Sequence, residues 1–155
     1  MKFDSSIDRD ANRQSILSNE AFKLESTWTF SELTTGAIGS HTLFTVTGNV
    51  LVSVFGICDT NLAGSGADFE VGVTGNTAGL IAQIADAEDL GDGDIYIDGT
   101  PEVGVAPVPS TFILNDGLDI LLKITGAAVT AGVVDWYCLW RPLSSDANVT
   151  VTTPA

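Results

Sequence analysis

From Thr27 onward, apolar residues recur at every second position in short runs. That is the period of a strand rather than of a helix. In Leu118–Thr125, Leu118, Ile120, Leu122 and Ile124 face one way, while Asp119, Leu121 and Lys123 face the other. Phe69, Val71 and Val73 alternate in the same manner with Glu70, Gly72 and Thr74. In Val133–Trp140 one face holds Val134, Trp136, Cys138 and Trp140, and the other holds Val133, Asp135, Tyr137 and Leu139. Both faces of that run are largely apolar, as are both faces of Val50–Cys58. Such strands sit centrally in a sandwich or face another subunit.

The pattern predicts strands at Thr27–Leu33, His41–Thr47, Asn49–Cys58, Asp68–Thr74, Gly79–Ile84, Asp94–Asp98, Ser110–Leu114, Leu118–Thr125, Val133–Leu139 and Asn148–Thr152. Thr47-Gly48-Asn49 and Asn115-Asp116-Gly117 read as compact breaks of the kind that antiparallel hairpins use, and Gly75-Asn76 as another turn. The stretch TPEVGVAPVP carries three prolines and reads as an extended crossing segment, not a central strand. No repeat at a fixed period points to a propeller or solenoid. The expected fold is all-β: an antiparallel, jelly-roll-like β-sandwich over residues 27–155.

Residues 1–26 differ. They lack glycine and hold four of the six cations, with scattered apolar residues at Phe3, Ile7, Ile16, Leu17, Phe22 and Leu24. Leu17, Ala21 and Leu24 have helical spacing. The segment therefore reads as an extended or partly helical N-terminal arm. Fully extended, it reaches on the order of 90 Å, enough to cross onto another protein.

Composition narrows the function. The 155 residues suit one domain with a real core, and 45% hydrophobic against 17% charged residues is not the balance of a disordered polyelectrolyte. The net charge is −14, and beyond residue 25 there are 15 acids against two bases. Such a surface repels phosphate, so nucleic acid and anionic membrane are poor partners. The longest apolar stretch, Val50–Cys58, falls far short of the ~20 residues of a spanning helix. The first residues carry no apolar stretch of the kind a secretory signal needs. Cys58 and Cys138, 80 positions apart, form neither a disulfide framework nor a metal-ligand pattern. Both lie in apolar runs and read as buried small hydrophobes, although a bridge between neighbouring strands stays open.

Chemistry is sparse. His41 is the single histidine, on a predicted strand with no nucleophile elbow or activated thiol marked beside it, so no catalytic residue and no enzyme is expected. The glycines from Gly72 to Gly79 lack the Lys-Ser/Thr ending of a phosphate loop. Asp86 to Asp94 gathers five carboxylates in nine residues. It reads as a solvated acidic loop, with Asp89, Asp92 and Asp94 as the alternative calcium ligands. Otherwise no metal and no cofactor is expected. Trp28, Trp136 and Trp140 read as core aromatics, with sugar-stacking platforms as the alternative.

The run from Trp136 to Val149, WYCLWRPLSSDANV, resembles endings found in small structural proteins of tailed bacteriophages. So do Phe44–Val50, Phe55–Cys58, Glu70–Ala78 and Asp94–Asp98, which together span most of residues 44–149. Head decoration (cement) proteins are the most similar in size, β-content and acidity. The resemblance implies a non-enzymatic virion protein on the capsid exterior, made in the host cytoplasm. Its partners would be the major capsid protein and its own copies, typically as a homotrimer at local threefold positions. Phe3, Ile7, Ile16, Leu17, Phe22 and Leu24 would be the capsid- or subunit-binding residues of the arm. The alternative is a tail, head-fibre or receptor- and glycan-binding accessory protein.

Overall fold

The structure, a computed structural model, describes residues 21–107 and 109–154. It is all-β, with two antiparallel sheets packed face to face. The strands are β1 (Phe22–Thr29), β2 (Gly39–Thr47), β3 (Val50–Ala63), β4 (Asp68–Val73), β5 (Asn76–Ile84), β6 (Asp94–Tyr96), β7 (Glu102–Val103), β8 (Phe112–Leu114), β9 (Ile120–Thr125), β10 (Ala131–Pro142) and β11 (Asn148–Val151). One sheet, here sheet A, runs β1-β10-β3-β6-β7, with β8 also pairing β3; sheet B runs β11-β2-β9-β4-β5.

The alternation sets the faces. Ile120, Leu122 and Ile124 of β9, Phe69 and Val71 of β4, and Val134, Trp136 and Cys138 of β10 all point into the core and are essentially inaccessible. The two doubly apolar strands, β3 and β10, lie in the middle of sheet A, paired to each other over almost their whole length.

At the centre, Trp136 of β10, Gly56 of β3 and Tyr96 of β6 stand in one row of register partners. The missing side chain at Gly56 lets the two rings meet edge to face, 6.0 Å between centroids. A Cβ on Gly56 would lie 3.0–3.1 Å from ring carbons of Trp136 and 2.9 Å from Val134 Cγ1. Gly56→Val is expected to destabilise the fold by about 1–3 kcal/mol through overpacking, measured by urea unfolding; an unchanged midpoint would contradict this packing. Tyr96 then ties the sheets together. Its ring meets Phe69 of sheet B edge-on at 5.0 Å, and its hydroxyl donates to the carbonyls of Phe69 and Ala82 at 3.1 and 2.7 Å.

Two expectations are corrected. First, β1 begins at Phe22, not Thr27, so residues 22–26 belong to the sandwich rather than to an arm. Phe22, Leu24, Ser26 and Trp28 form its inward face opposite Trp140, Cys138, Trp136 and Val134, and β1 ends at Thr29 rather than Leu33. Second, the breaks at Gly48 and Gly117 are not hairpins. Each carries the chain from one sheet to the other, β2 to β3 and β8 to β9. Gly48 sits at φ +66, and its amide neighbourhood is closed by Ser144 Oγ, which accepts from Asn49 N at 2.9 Å. The β4–β5 turn at Thr74-Gly75, by contrast, is a true hairpin, with Val73 opposite Asn76. The Pro-rich crossing enters no central strand, as its prolines require; it contributes only the two-residue strand β7 at the sheet edge, where a proline at its flank removes no ladder bond.

Candidate docking surface

Because β3 and β10 are apolar on both sides, sheet A has an apolar outer face as well as an apolar core face. The register gives its rows. Arg141, Leu51 and Ile113 lie side by side at one end; Lys23, Leu139 and Ser53 come next; then Glu25, Tyr137 and Phe55; then Thr27, Asp135, Ile57 and Ile95. Phe55 and Tyr137 stack at 5.1 Å with 14° between ring planes. Lys23 Nζ stands 5.9 Å over the Tyr137 ring, and the Tyr137 hydroxyl donates to Glu25 at 3.4 Å. Partial burial, followed by the negative charge of Glu25, pushes the Tyr137 phenol up. Leu51, Phe55, Ile57, Tyr137 and Leu139 are all half-buried. Sheet B offers no equivalent: its outer rows read Ser40, Lys123, Glu70 and Thr42, Leu121, Gly72.

The Pro-rich segment walls one side of this face. Ser53, buried on the outer side of β3, donates to the carbonyls of Pro109 and Ser110 at 3.4 and 3.2 Å and sits 3.2 Å from the Thr111 hydroxyl. The segment is thereby pinned across β3. Between it and the β10 ridge runs a groove of about 170 Å³, with Phe55, Ile57, Ile95, Ile97 and Leu139 as floor and Ala106, Pro107 and Pro109 as wall. A second recess of about 150 Å³ lies where the N-terminal segment joins β1, between Ala21, Leu51, Leu139, Trp140 and Arg141.

The expected binding residues divide. Phe3, Ile7, Ile16 and Leu17 lie outside the described residues. Phe22 is 58% exposed at the end of β1, with its ring 5.0 Å from that of Trp140. Leu24 packs against the core and is a structural residue. The outer-face residues Phe55, Ile57, Tyr137 and Leu139 were not singled out as binding residues, although the doubly apolar strands carried the signal. Val103 and Val105, 83% and 82% exposed, lay hidden in the proline-rich stretch.

The acidic loop is built from its own carboxylates. Asp86 caps a single 3-10 turn (Ala87–Asp89) by accepting from Glu88 N at 3.1 Å, and Asp94 accepts from Gly91 N at 2.9 Å. Among the described residues no three His, Cys, Asp or Glu side chains, Asp89, Asp92 and Asp94 included, are placed together to hold a metal ion. His41 faces inward from β2 and is half-buried. Its Nε2–H donates to the Ala37 carbonyl at 2.7 Å, and its ring meets Trp28 edge-on at 6.2 Å. The proton-carrying nitrogen is thus spent on backbone, not on a serine or thiol. Trp28, Trp136 and Trp140 are all buried, so none of these three rings offers a face at the surface for a sugar to stack on. Among the described residues no helix is long and apolar enough to cross a membrane.

Both cysteines are free and buried. Cys58 stands opposite Val134 and Cys138 opposite Val54. They are four residues apart along the same ladder, about 13 Å, well beyond the reach of a disulfide. Burial pushes the Cys138 thiol up to about 12. Burial, reinforced by the charges of Asp94 and Asp92, pushes Cys58 up to about 11. The ordinary value is 9.0, so between that pH and the raised values the folded chain holds protons that the unfolded chain has released. Stability from these thiols is complete below about pH 9 and is lost as pH rises toward 12. A melting temperature flat from neutral to about pH 8.5 and falling above pH 9 is the expected curve. Native protein should also resist a thiol-specific chromophore until denaturant is added; rapid labelling without denaturant would contradict this burial.

Compared with known protein families, curated proteins and solved structures, the chain matches none.

Proposed function

We propose that the protein is a head decoration protein of a tailed bacteriophage. It binds the outer surface of the assembled capsid as a homotrimer at local threefold positions and bridges capsomers. The observation that carries this reading is the apolar outer face of sheet A, set beside the start of β1 on a body that is otherwise strongly acidic. A face of that kind is suited to burial against protein, and the acidic remainder keeps crowded copies soluble while disfavouring nucleic acid and anionic membrane. The sequence resemblance over residues 44–149 points the same way. So does the sheet-to-sheet crossing at Gly48 and Gly117, which suits a jelly-roll-like sandwich.

The mechanism is binding, not chemistry, and no residue is assigned a catalytic role. Residues 1–20, with Phe3, Ile7, Ile16 and Leu17, act as the capsid-binding arm, helped by exposed Phe22. Expansion or loosening of the shell must then break decoration contacts as well as capsomer contacts. Each contact is weak, and many on one lattice add through effective concentration. The partners are the major capsid protein and other copies of this chain. The location is the capsid exterior of the virion, after synthesis in the host cytoplasm.

The deciding experiment is the copy number relative to the major capsid protein in purified particles, by quantitative mass spectrometry. Near-equal numbers support lattice-wide decoration; a handful of copies per particle transfers the protein to the tail or a head fibre. In a companion assay, chain lacking residues 1–20 is expected to stay folded and to lose binding to undecorated shells. Truncated protein that still saturates shells would remove the arm from the mechanism.

A further inference from the structure

We infer that two copies of this chain pair edge to edge through β1, antiparallel about a two-fold axis at Leu24, so that sheet A runs on from one copy into the next. β1 is an outer strand of sheet A, and among the described residues only β10 pairs with it. The ladder shows which backbone groups look outward. Phe30 N–H continues the register of β1 with β10 and donates to the Gly132 carbonyl at 2.9 Å, so the even-numbered residues turn their backbone groups to β10. The odd-numbered ones turn theirs away. At Thr29 that outward carbonyl accepts from the Thr35 hydroxyl at 2.6 Å. At Lys23, Glu25 and Thr27 no bond among the described residues reaches the N–H or the C=O. An edge with no proline and no bulge is a template for a further strand.

The charge pattern of the strand identifies that further strand as β1 of a second copy. Lys23 and Glu25 stand on the outer face of the edge, 61% and 43% exposed. Read in the antiparallel direction, Lys-x-Glu is its own complement. With the axis at Leu24, Lys23 of each copy faces Glu25 of the other in narrow, doubly hydrogen-bonded pairs, about 5.5 Å between Cα atoms. Moving the axis to Glu25 sets Glu25 against Glu25, and moving it to Lys23 sets Lys23 against Lys23, which like-charge repulsion disfavours. The remaining charges of this rim agree. Arg141 of one copy and Asp135 of the other fall in one cross-sheet row, on the two sides of the facing Ala21 and Thr27. All four charged residues of the β1 and β10 outer face thus meet the opposite sign across the axis.

The inner side fits the same register. Leu24 meets Leu24 in a non-hydrogen-bonded pair, the kind whose side chains stand closest. Phe22, 58% exposed in a single copy, comes to lie opposite Ser26 of the second copy and is covered there. The Lys23–Glu25 pair within one chain, at 3.7 Å, gives way at little cost because both side chains are largely exposed. Each copy uses the same patch, so the contact is isologous and closes at two. The apolar outer face of sheet A then continues across both copies. This pairing does not rest on the decoration reading: beside a threefold ring, it ties one ring to the next.

The test uses the full chain in sedimentation velocity at tens of micromolar. Wild type is expected to sediment as an oligomer with an even number of copies. Lys23→Glu or Glu25→Lys alone sets two like-charged pairs across the axis. Each should keep the circular dichroism yet halve that mass, association through β1 being weakened about tenfold or more. Lys23→Glu/Glu25→Lys together restores both opposite-charge pairs and should restore the wild-type mass. Mixing chains that carry only Lys23→Cys with chains that carry only Glu25→Cys should give a covalent dimer on mild oxidation, which neither gives alone. A wild type that sediments as a monomer or a trimer overturns the inference. So does a single reversal that keeps the wild-type oligomer, or a double reversal that stays dissociated. Pairing seen only after residues 1–20 are removed also overturns it, because the chain's own first residues then hold the edge. Shell binding is scored separately: an unpaired wild type that saturates capsids overturns this pairing and spares the decoration reading. A paired wild type that passes the reversal test but ignores capsids upholds the pairing and removes that reading.

Discussion

Removing residues 1–26 is expected to cost the sandwich on the order of 3–5 kcal/mol, whereas removing only residues 1–20 leaves its stability nearly unchanged. The difference is five residues of β1. Phe22 to Ser26 supply five of the eight register pairs that join β1 to β10, opposite Trp140, Leu139, Cys138, Tyr137 and Trp136. Without them the β10 edge loses its ladder partner, and each backbone bond lost costs about 1 kcal/mol. Buried Ser26 and the core-packed Leu24 disappear too, opening Trp136 and Cys138 to water. Against the 5–15 kcal/mol typical of a single domain, that is a large share. Urea unfolding of both truncations checks it. A midpoint for the longer deletion equal to that of the full chain would show that β1 contributes nothing. The comparison also guards the capsid assay, because a deletion through residue 26 would abolish binding by unfolding alone.

The second large effect is expected at the centre of the core. Trp136→Ala should destabilise the protein by about 3–5 kcal/mol. The indole is fully buried, lies over Gly56 and meets Tyr96 edge-on. Gly56 has no side chain to move into the space, so the cavity cannot collapse from that side. Tyr96 is held by two carbonyls of the opposite sheet and cannot follow either. Trp136→Phe should cost markedly less. It keeps most of the ring volume, and Trp136 Nε1 has no hydrogen-bond partner among the described residues, so no bond is lost. Equilibrium unfolding of both variants distinguishes packing from polarity. A loss below about 1 kcal/mol for the alanine variant would mean that the row relaxes into the gap.

Much of this architecture is legible along the chain. A strand turns successive side chains to opposite faces, so alternation in Phe69–Val73, Ile120–Thr125 and Val133–Trp140 is enough to say which residues enter the core. The doubly apolar β3 and β10 announce central strands for the same reason: an outer face that stays apolar needs cover. The acidic excess and the lack of any catalytic motif are properties of the residue list itself.

Tertiary structure decided the rest, wherever local pattern was short or degenerate. Five residues, Phe22 to Ser26, fit both a helical and an alternating period, and pairing with β10 more than a hundred positions away selects the strand. A left-handed glycine reverses the chain equally well within a sheet or between sheets. Whether Gly48 and Gly117 make hairpins or corners is settled by distant partners, β2 with β9 and β3 with β10. The cysteines lie in adjacent strands, yet the register sets them four residues apart. The docking face, too, exists only once the Pro-rich crossing is pinned by Ser53 across β3. Face assignment follows from the two-residue period of a single strand; register, sheet membership and grooves follow from contacts between segments that no local pattern relates.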